Sequence, residues 1–326
     1  MTAPAVLVTR RLPGPVMERL AGSTGVSVWE EDSPIPRRRL LDDAAGKRAL
    51  ITLLTERVDD ELLDAAGPDL VIVANYAVGF DNIDVPACTR RGVLVSNTPD
   101  VLTETTADLT WALMLAAARR VAEGDRFLRT GQEWIWGPEM MLGQDVYGKV
   151  LGIVGFGRIG RAVARRAAGF GMRVLYHDPA VSAADAGGGV EPAGLDDLLA
   201  TADFVALHVN LTAETRHLIN AERLARMKST AVLVNAARGP IIDEAALAEA
   251  LESGGIFAAG LDVFEREPEV HPRLRESPRA VLVPHLGSAT VETRDAMGML
   301  AVDNVLAALD GRRPPTLLNP EAWKAG

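Results

Sequence analysis

Three residues in the C-terminal half of the chain combine the side-chain types needed to hold and protonate a small anionic carbonyl compound: Arg238, Glu267 and His285. A guanidinium is a planar, permanently charged fork that matches a carboxylate. An imidazole is the natural proton donor or acceptor near neutral pH, and a neighbouring carboxylate favours its charged form and fixes the ring. Each of the three falls just after an apolar, strand-like run. Arg238 lies in Asn235-Ala-Ala-Arg-Gly239 after the run at 231–234, Glu267 follows the run at 258–263, and His285 lies in Pro284-His-Leu-Gly-Ser-Ala-Thr290 after 281–283. In an open parallel sheet the ends of successive strands line one crevice, so residues distant in sequence can meet there. With a hydride from a nicotinamide, the trio would interconvert a 2-oxo acid and a 2-hydroxy acid. On residue types alone it remains one selection among many charged loop residues.

A site for the hydride carrier is written more distinctly, in Lys149-Val-Leu-Gly-Ile-Val-Gly-Phe-Gly-Arg-Ile-Gly160. Residues 150–154 are apolar and largely β-branched, the mark of a strand buried on both faces. Gly155, Gly157 and Gly160 then stand at the G-x-G-x-x-G spacing before a helical run at 161–168. There, glycines permit a tight turn, close approach of a pyrophosphate and close packing of helix on strand. The helix amino terminus offers free N–H groups and partial positive charge to the phosphates. A second strand, at 172–176, leads to Asp178, 18 residues beyond Gly160, where a carboxylate would accept the adenosine ribose hydroxyls. It would repel a 2′-phosphate, and 179–186 contains no Lys or Arg. NAD(H) is therefore expected over NADP(H).

Composition bounds the rest. At 326 residues and about 150 per domain, two domains are expected. The net charge of −10 argues against a large surface for nucleic acid or an anionic membrane. Cys88 is the only cysteine, so disulfides and cysteine-rich metal sites are excluded and a reducing cytoplasm is expected. His177, His208, His217 and His271 show no metal-ligand spacing, with His217 and His271 read as surface loop residues; no metal is assigned. The apolar run at 3–8 reads as a first strand rather than a targeting segment. The run at 109–118 is about half of what spans a bilayer.

The elements that must position these residues alternate between strand and helix throughout, which implies α/β architecture with parallel, doubly wound sheets. Residues 1–98 form one such unit without a phosphate loop, and 99–287 form the nucleotide unit. A final helix at 292–309 returns the chain to the first, so that the first domain comprises 1–98 and 288–326. Asn75-Tyr-Ala-Val-Gly-Phe-Asp-Asn-Ile-Asp84 follows a strand end, where it could hold a ligand or simply turn. A long helix at 103–120 bridges the domains, and Gly187-Gly-Gly189 reads as a flexible loop. Residues 131–147, with Trp134, Trp136, Met140 and Met141, form an aperiodic arm whose side chains either meet a partner or pack in a core.

Six ordered motifs, Gly155-Phe-Gly-Arg-Ile-Gly160, His208-Val-Asn-Leu-Thr212, Asn235-Ala-Ala-Arg-Gly239, Gly260-Leu-Asp-Val-Phe264, Glu267-Pro268 and Pro284-His-Leu-Gly-Ser-Ala-Thr290, together resemble the D-isomer-specific 2-hydroxyacid dehydrogenase family. Asn75 to Asp84 and Asp145-Val-Tyr-Gly148 look most like its glyoxylate/hydroxypyruvate reductases. The resemblance implies a Rossmann NAD-binding domain inserted into a discontinuous flavodoxin-like substrate domain. It also implies reduction of glyoxylate or hydroxypyruvate to glycolate or D-glycerate. By that resemblance Arg238 would bind the substrate carboxylate, helped by the N–H groups of Val78 and Gly79. His285, supported by Glu267, would protonate the carbonyl oxygen. Phe156, Gly157, Arg158 and Ile159 would cradle the pyrophosphate, Asp178 the ribose and Asp262 the nicotinamide carboxamide. Thr106, Ala236 and Gly287 would line the same pocket, with Leu54 and Ser288 on the substrate side. A homodimer through the Leu109 helix and the Trp134 arm is expected. Asn210 stands where the family usually has Pro, and no regulatory domain is expected after 326. The alternatives are a D-lactate, phosphoglycerate, formate or phosphite enzyme of the same family, or a non-catalytic NAD-sensing scaffold.

Overall fold

The computed structural model describes residues 5–324, so Ala3 and Pro4 of the expected first run lie outside the described residues. The chain divides into two compact units, one running to Leu102 and resuming at Ala289, the other Thr103–Ser288. The first crossing falls after Leu102 rather than at the expected 98/99; Thr98 N–H donates to Ala77 O and Asn97 Nδ2 donates to Val78 O. Those bonds tie this stretch to the first unit.

In the first unit five parallel strands, β1 (Val6–Val8), β2 (Val26–Val28), β3 (Ala49–Thr52), β4 (Ile72–Asn75) and β5 (Leu94–Ser96), lie in the order β2-β1-β3-β4-β5. This is a flavodoxin-like arrangement, and β1 and β3 flank its reversal of strand order. β1, β3, β4 and β5 are buried throughout, as expected for parallel strands covered on both faces. Each fully buried Val, Leu or Ile there contributes about 1.5–3 kcal/mol. The helix Val291–Leu309, capped by Thr290, returns to this sheet. It presses Gly298 onto Val16 so closely that a Cβ would sit 2.5 Å from a valine methyl. β5 and the helix before it, Val85–Arg90, are too short to show periodicity and were not foreseen.

The second unit holds seven parallel strands: β6 (Val150–Val154), β7 (Arg173–His177), β8 (Val190–Pro192), β9 (Phe204–Leu207), β10 (Val232–Asn235), β11 (Ala258–Leu261) and β12 (Ala280–Leu282). Their order is β12-β11-β10-β9-β6-β7-β8. The chain winds outward from β6 in one direction, then outward from β9 in the other, which leaves a crevice beyond the carboxyl ends of this pair. Two glycines within strands let helices close on both faces. A Cβ on Gly260 would lie 2.9 Å from Leu113 Cβ, and one on Gly152 would lie 2.9 Å from Leu198 Cγ. Gly187-Gly-Gly189 makes a turn from the short helix Ala183–Ala186 into edge strand β8, with Gly187 and Gly189 at positive φ. An edge position tolerates Pro192, which cannot donate to a ladder.

The long helix ends at Ala118, earlier than expected, since Arg120 is left-handed at φ 54° and starts a separate helix, Val121–Arg129, that buries none of its residues. Beyond it, Trp134, Ile135 and Trp136 are 52%, 92% and 77% exposed. Core packing is thereby ruled out for these side chains within one chain. Among the described residues, no helix is long and apolar enough to cross a membrane.

Candidate active site

The turn after β6 shows why glycine stands at each of its three positions. Gly155 has φ 92°, and a Cβ there would meet the His208 carbonyl carbon at 2.5 Å; one on Gly160 would overlap the Gly155 carbonyl oxygen. Gly157 is exposed and faces open space. The outer two glycines thus set the turn and the helix–strand approach, while the middle one leaves room for a phosphate over the amino terminus of the helix Arg158–Ala167. The cradle fits a dinucleotide. Asp178, half-buried, accepts Phe156 N–H through Oδ2 at 2.8 Å and Ala180 N–H through Oδ1 at 3.0 Å. Both oxygens keep lone pairs for a diol. The Phe156 ring turns inward and stacks on Tyr176, centroids 4.5 Å apart, so this residue offers the loop only backbone.

A buried cluster organises the loop after β12. Asp262 is 1% exposed and accepts the N–H groups of Leu286 and Gly287, while Thr106 Oγ1 donates to Gly287 O at 3.0 Å. Burial pushes the Asp262 carboxyl up to about 6, against the pull of those N–H groups and of His285. Asp262, placed by resemblance at the carboxamide, here also holds the histidine loop. His285 itself is left-handed at φ 54°, and its N–H donates to Asp262 O and Val283 O. Such a conformation costs a side-chain-bearing residue on the order of 1–3 kcal/mol and persists where surrounding bonds over-determine it, as at functional sites.

The His285 ring meets a carboxylate: Nδ1 lies 2.9 Å from Glu267 Oε2. Glu267 Oε1 in turn accepts Phe264 N–H at 3.1 Å. Burial pushes the Glu267 carboxyl up, but the His285 hydrogen bond and charge, Phe264 N–H and the Arg238 guanidinium outweigh it, and the net shift is downward. Glu267 is thus ionised at neutral pH and accepts the Nδ1 proton, a tautomer assigned from this network. Since the folded-state carboxyl is depressed, the stability it contributes is present above the ordinary glutamate pKa and is lost as pH falls through the lower folded value.

Arg238 stands on the loop after β10. Asn235 ties that loop down, donating from Nδ2 to Arg238 O at 2.9 Å and accepting Ala237 N–H at 3.0 Å, and Ala236 is half-buried between them in sequence. Arg238 Nη1 donates to Ala237 O at 2.8 Å. Arg238, Glu267 and His285 therefore follow β10, β11 and β12, three adjacent strands, and Glu267 feels the charge of the other two.

Leu54, Val78 and Gly79 belong to the first unit, beyond the ends of β3 and β4, whereas Ser288 closes the second. Asn75 Nδ2 donates to Gly79 O at 2.8 Å, and Asn82 Nδ2 donates to Leu53 O and Glu56 O at 3.0 Å each. Buried Glu56 accepts Leu53 N–H at 2.7 Å. Asn75 to Asp84 is therefore a cross-braced loop, and Glu56 is a brace that local sequence reading missed.

The other histidines differ in part from expectation. His177 Nδ1 bonds Ala193 O at 3.1 Å. Both ring nitrogens of His208 are hidden and without a partner, and burial brings this group down to about 4, so its ring is neutral. His217, in a loop with its side chain 43% exposed, pairs with Glu265, whereas His271 Nδ1 is buried. Among the described residues, no group of three His, Cys, Asp or Glu could hold a metal ion.

Residues 111–287 match the D-isomer specific 2-hydroxyacid dehydrogenase, NAD binding domain. The glyoxylate reductase of Thermococcus kodakarensis is 52% identical over 98% of this chain and 98% of its own. A crystallised protein from Thermus thermophilus is 46% identical with TM-score 0.90, over 96% of this chain and 99% of that one. The NADPH-dependent glyoxylate/hydroxypyruvate reductase of Sinorhizobium meliloti, crystallised with NADP and malonate, is 34% identical with TM-score 0.85, over 99% of each chain.

Proposed function

Because this chain belongs to the D-isomer specific 2-hydroxyacid dehydrogenase family, we propose that it reduces glyoxylate or hydroxypyruvate to glycolate or D-glycerate, with NADH as the hydride donor. The observation that carries the reading is the Glu267–His285 pair at 2.9 Å, with Glu267 ionised and the two residues following strands β11 and β12 beside the Arg238 strand β10. A dinucleotide held by its pyrophosphate at the Gly155–Gly160 turn would supply, from its nicotinamide, the hydride for the carbonyl carbon. Arg238 binds the substrate carboxylate as a fork and orients the carbonyl. His285 Nε2 gives its proton to the carbonyl oxygen, and Glu267 stabilises the imidazolium before that transfer. Thr106, Ala236, Asp262 and Gly287 shape the nicotinamide end. In the first unit, beyond the end of β4, the N–H groups of Val78 and Gly79 suit a carboxylate; Leu54 there, and Ser288 in the second unit, are proposed substrate neighbours.

The preference for NADH is supported by Asp178, anchored to the glycine turn, and by the absence of Lys and Arg at 179–186. A 2′-phosphate beside that carboxylate is repelled at a cost of several kcal/mol. A matrix of glyoxylate, hydroxypyruvate, pyruvate and formate against NADH and NADPH, followed by nicotinamide absorbance, tests both statements. NADH with glyoxylate or hydroxypyruvate is expected to give kcat/KM at least about tenfold above the NADPH value, and Asp178→Ala to narrow that ratio. Equal use of the two nucleotides by the native protein removes the Asp178 argument, and turnover of formate alone removes the 2-oxo acid reading.

The exposed Trp134, Ile135 and Trp136, beside a helix with no buried face, support a homodimer formed through this arm. Sedimentation equilibrium is expected to give twice the chain mass. A monomer at micromolar concentration contradicts that assembly.

A further inference from the structure

The loop that carries Glu267 packs directly on the loop that carries Arg238: a side chain on Gly239 would overlap the Phe264 carbonyl. Beside this contact lies a carboxylate that the reaction above does not use. Glu244, the first residue of the helix Glu244–Ser253, is 5% exposed. Its Oε1 accepts Glu265 N–H at 2.7 Å, and the backbone N–H of His271 also favours its charged form. One buried carboxylate thus holds Glu265 N–H and draws on the His271 backbone, residues that stand on either side of Glu267 in the sequence. The Glu265 side chain is held from another direction by His217 Nε2, and His217 N–H donates to Pro240 O at 2.8 Å, next to Gly239. The Arg238 loop, the Glu267 loop and the start of this helix are therefore one braced assembly.

We propose that Glu244 is a positioning residue for the acid–base pair: it sets the 264–271 loop so that Glu267 Oε2 stays against His285 Nδ1. The proposal rests on the reading of His285 as the proton donor. Burial of a carboxylate is costly unless its lone pairs are satisfied. Here burial and the nearby Glu265 charge raise the Glu244 carboxyl, while the Glu265 and His271 N–H groups and the His271 charge oppose this. Glu267 is faced by His285, Arg238 and Asp262, so a small displacement changes which of these charges it answers. A misplacement of about 1 Å at a reacting group costs on the order of a hundredfold in rate.

Glu244→Gln keeps the shape but removes the charge and can turn an NH2 toward the Glu265 N–H. Reduction needs protonated His285, so its rate falls as pH rises, and weaker support from Glu267 brings that fall to lower pH. Compared with the native protein, E244Q is expected to lower kcat about tenfold and to move the high-pH limb of kcat/KM for glyoxylate downward, with the NADH Kd unchanged. In an E267Q background the limb is expected not to move again. A merely structural role is shown by a lower Tm with native kcat and native limb, or by effects that add in full to those of E267Q; either result overturns the proposal. If E244Q does not fold, Glu244→Asp keeps charge and both acceptors but withdraws them by one methylene, and the same displaced limb is expected. Absence of 2-oxo acid turnover in the native protein counts against the function instead. In that case the His285 ring proton, titrated by NMR, decides: a lower midpoint in the Glu244 variant supports the positioning role, and an unchanged one overturns it.

Discussion

Replacing His285 with Asn is expected to lower kcat for glyoxylate reduction by about 10²–10⁴-fold, the contribution of a positioned general acid, with NADH affinity preserved. Asparagine is chosen because the backbone at 285 has φ 54°, a region that Asn enters more readily than other side chains. The variant therefore removes the proton donor while retaining the loop, whose N–H groups at 285, 286 and 287 are bound by Asp262. Alanine at the same position would mix lost chemistry with backbone strain. Steady-state rates over a pH range, with NADH binding followed by fluorescence, separate the two effects. A loss of less than about threefold, well under the acid–base range, shows that the proton comes from another group.

The second large effect is expected at Arg238. A hydrogen bond to a charged group contributes about 1.5–3 kcal/mol, so Arg238→Ala is expected to lower kcat/KM for carboxylate substrates by about 10–150-fold. Arg238→Lys is expected to recover only part of this, because an ammonium keeps the charge but lacks the planar fork. Its loop is held by Asn235 and by Gly239 packed on Phe264, so the truncation leaves the backbone supported. The loss is expected to vanish for an aldehyde without a carboxylate. Steady-state kinetics on glyoxylate beside such an aldehyde make the comparison, and equal losses on both remove Arg238 from carboxylate binding.

Much of this architecture is legible in the chain because parallel strands are apolar throughout and end in short polar motifs. The glycine turn could be read residue by residue, whereas Arg238, Glu267 and His285 stood out among other charged loop residues only by following strand-like runs and by family resemblance. Two kinds of feature escaped. Strands β5 and β8 have three residues each, and what makes them strands is the neighbour that pairs with them. Braces such as Glu244 and Glu56 are invisible for a different reason. A glutamate at a helix start reads as a favourable charge on the helix dipole, and only the folded chain brings Glu265 and His271 onto it. The pairing of His217 with Glu265 was hidden because the two lie 48 positions apart. The roles of Asp262, Thr106, Val78 and Gly79 came from family resemblance, since nothing in their local spacing distinguishes them.

The central claim is that the guanidinium of Arg238 and the imidazole of His285 address one small 2-oxo acid. A crystal structure of this protein with NADH and oxamate, an unreactive analogue of glyoxylate, tests it most directly. The account predicts the oxamate carboxylate on Arg238 and its amide carbonyl oxygen within about 3 Å of His285 Nε2, with Glu267 still on Nδ1. A carboxylate bound away from Arg238, or an imidazole turned from the carbonyl oxygen in that complex, contradicts it.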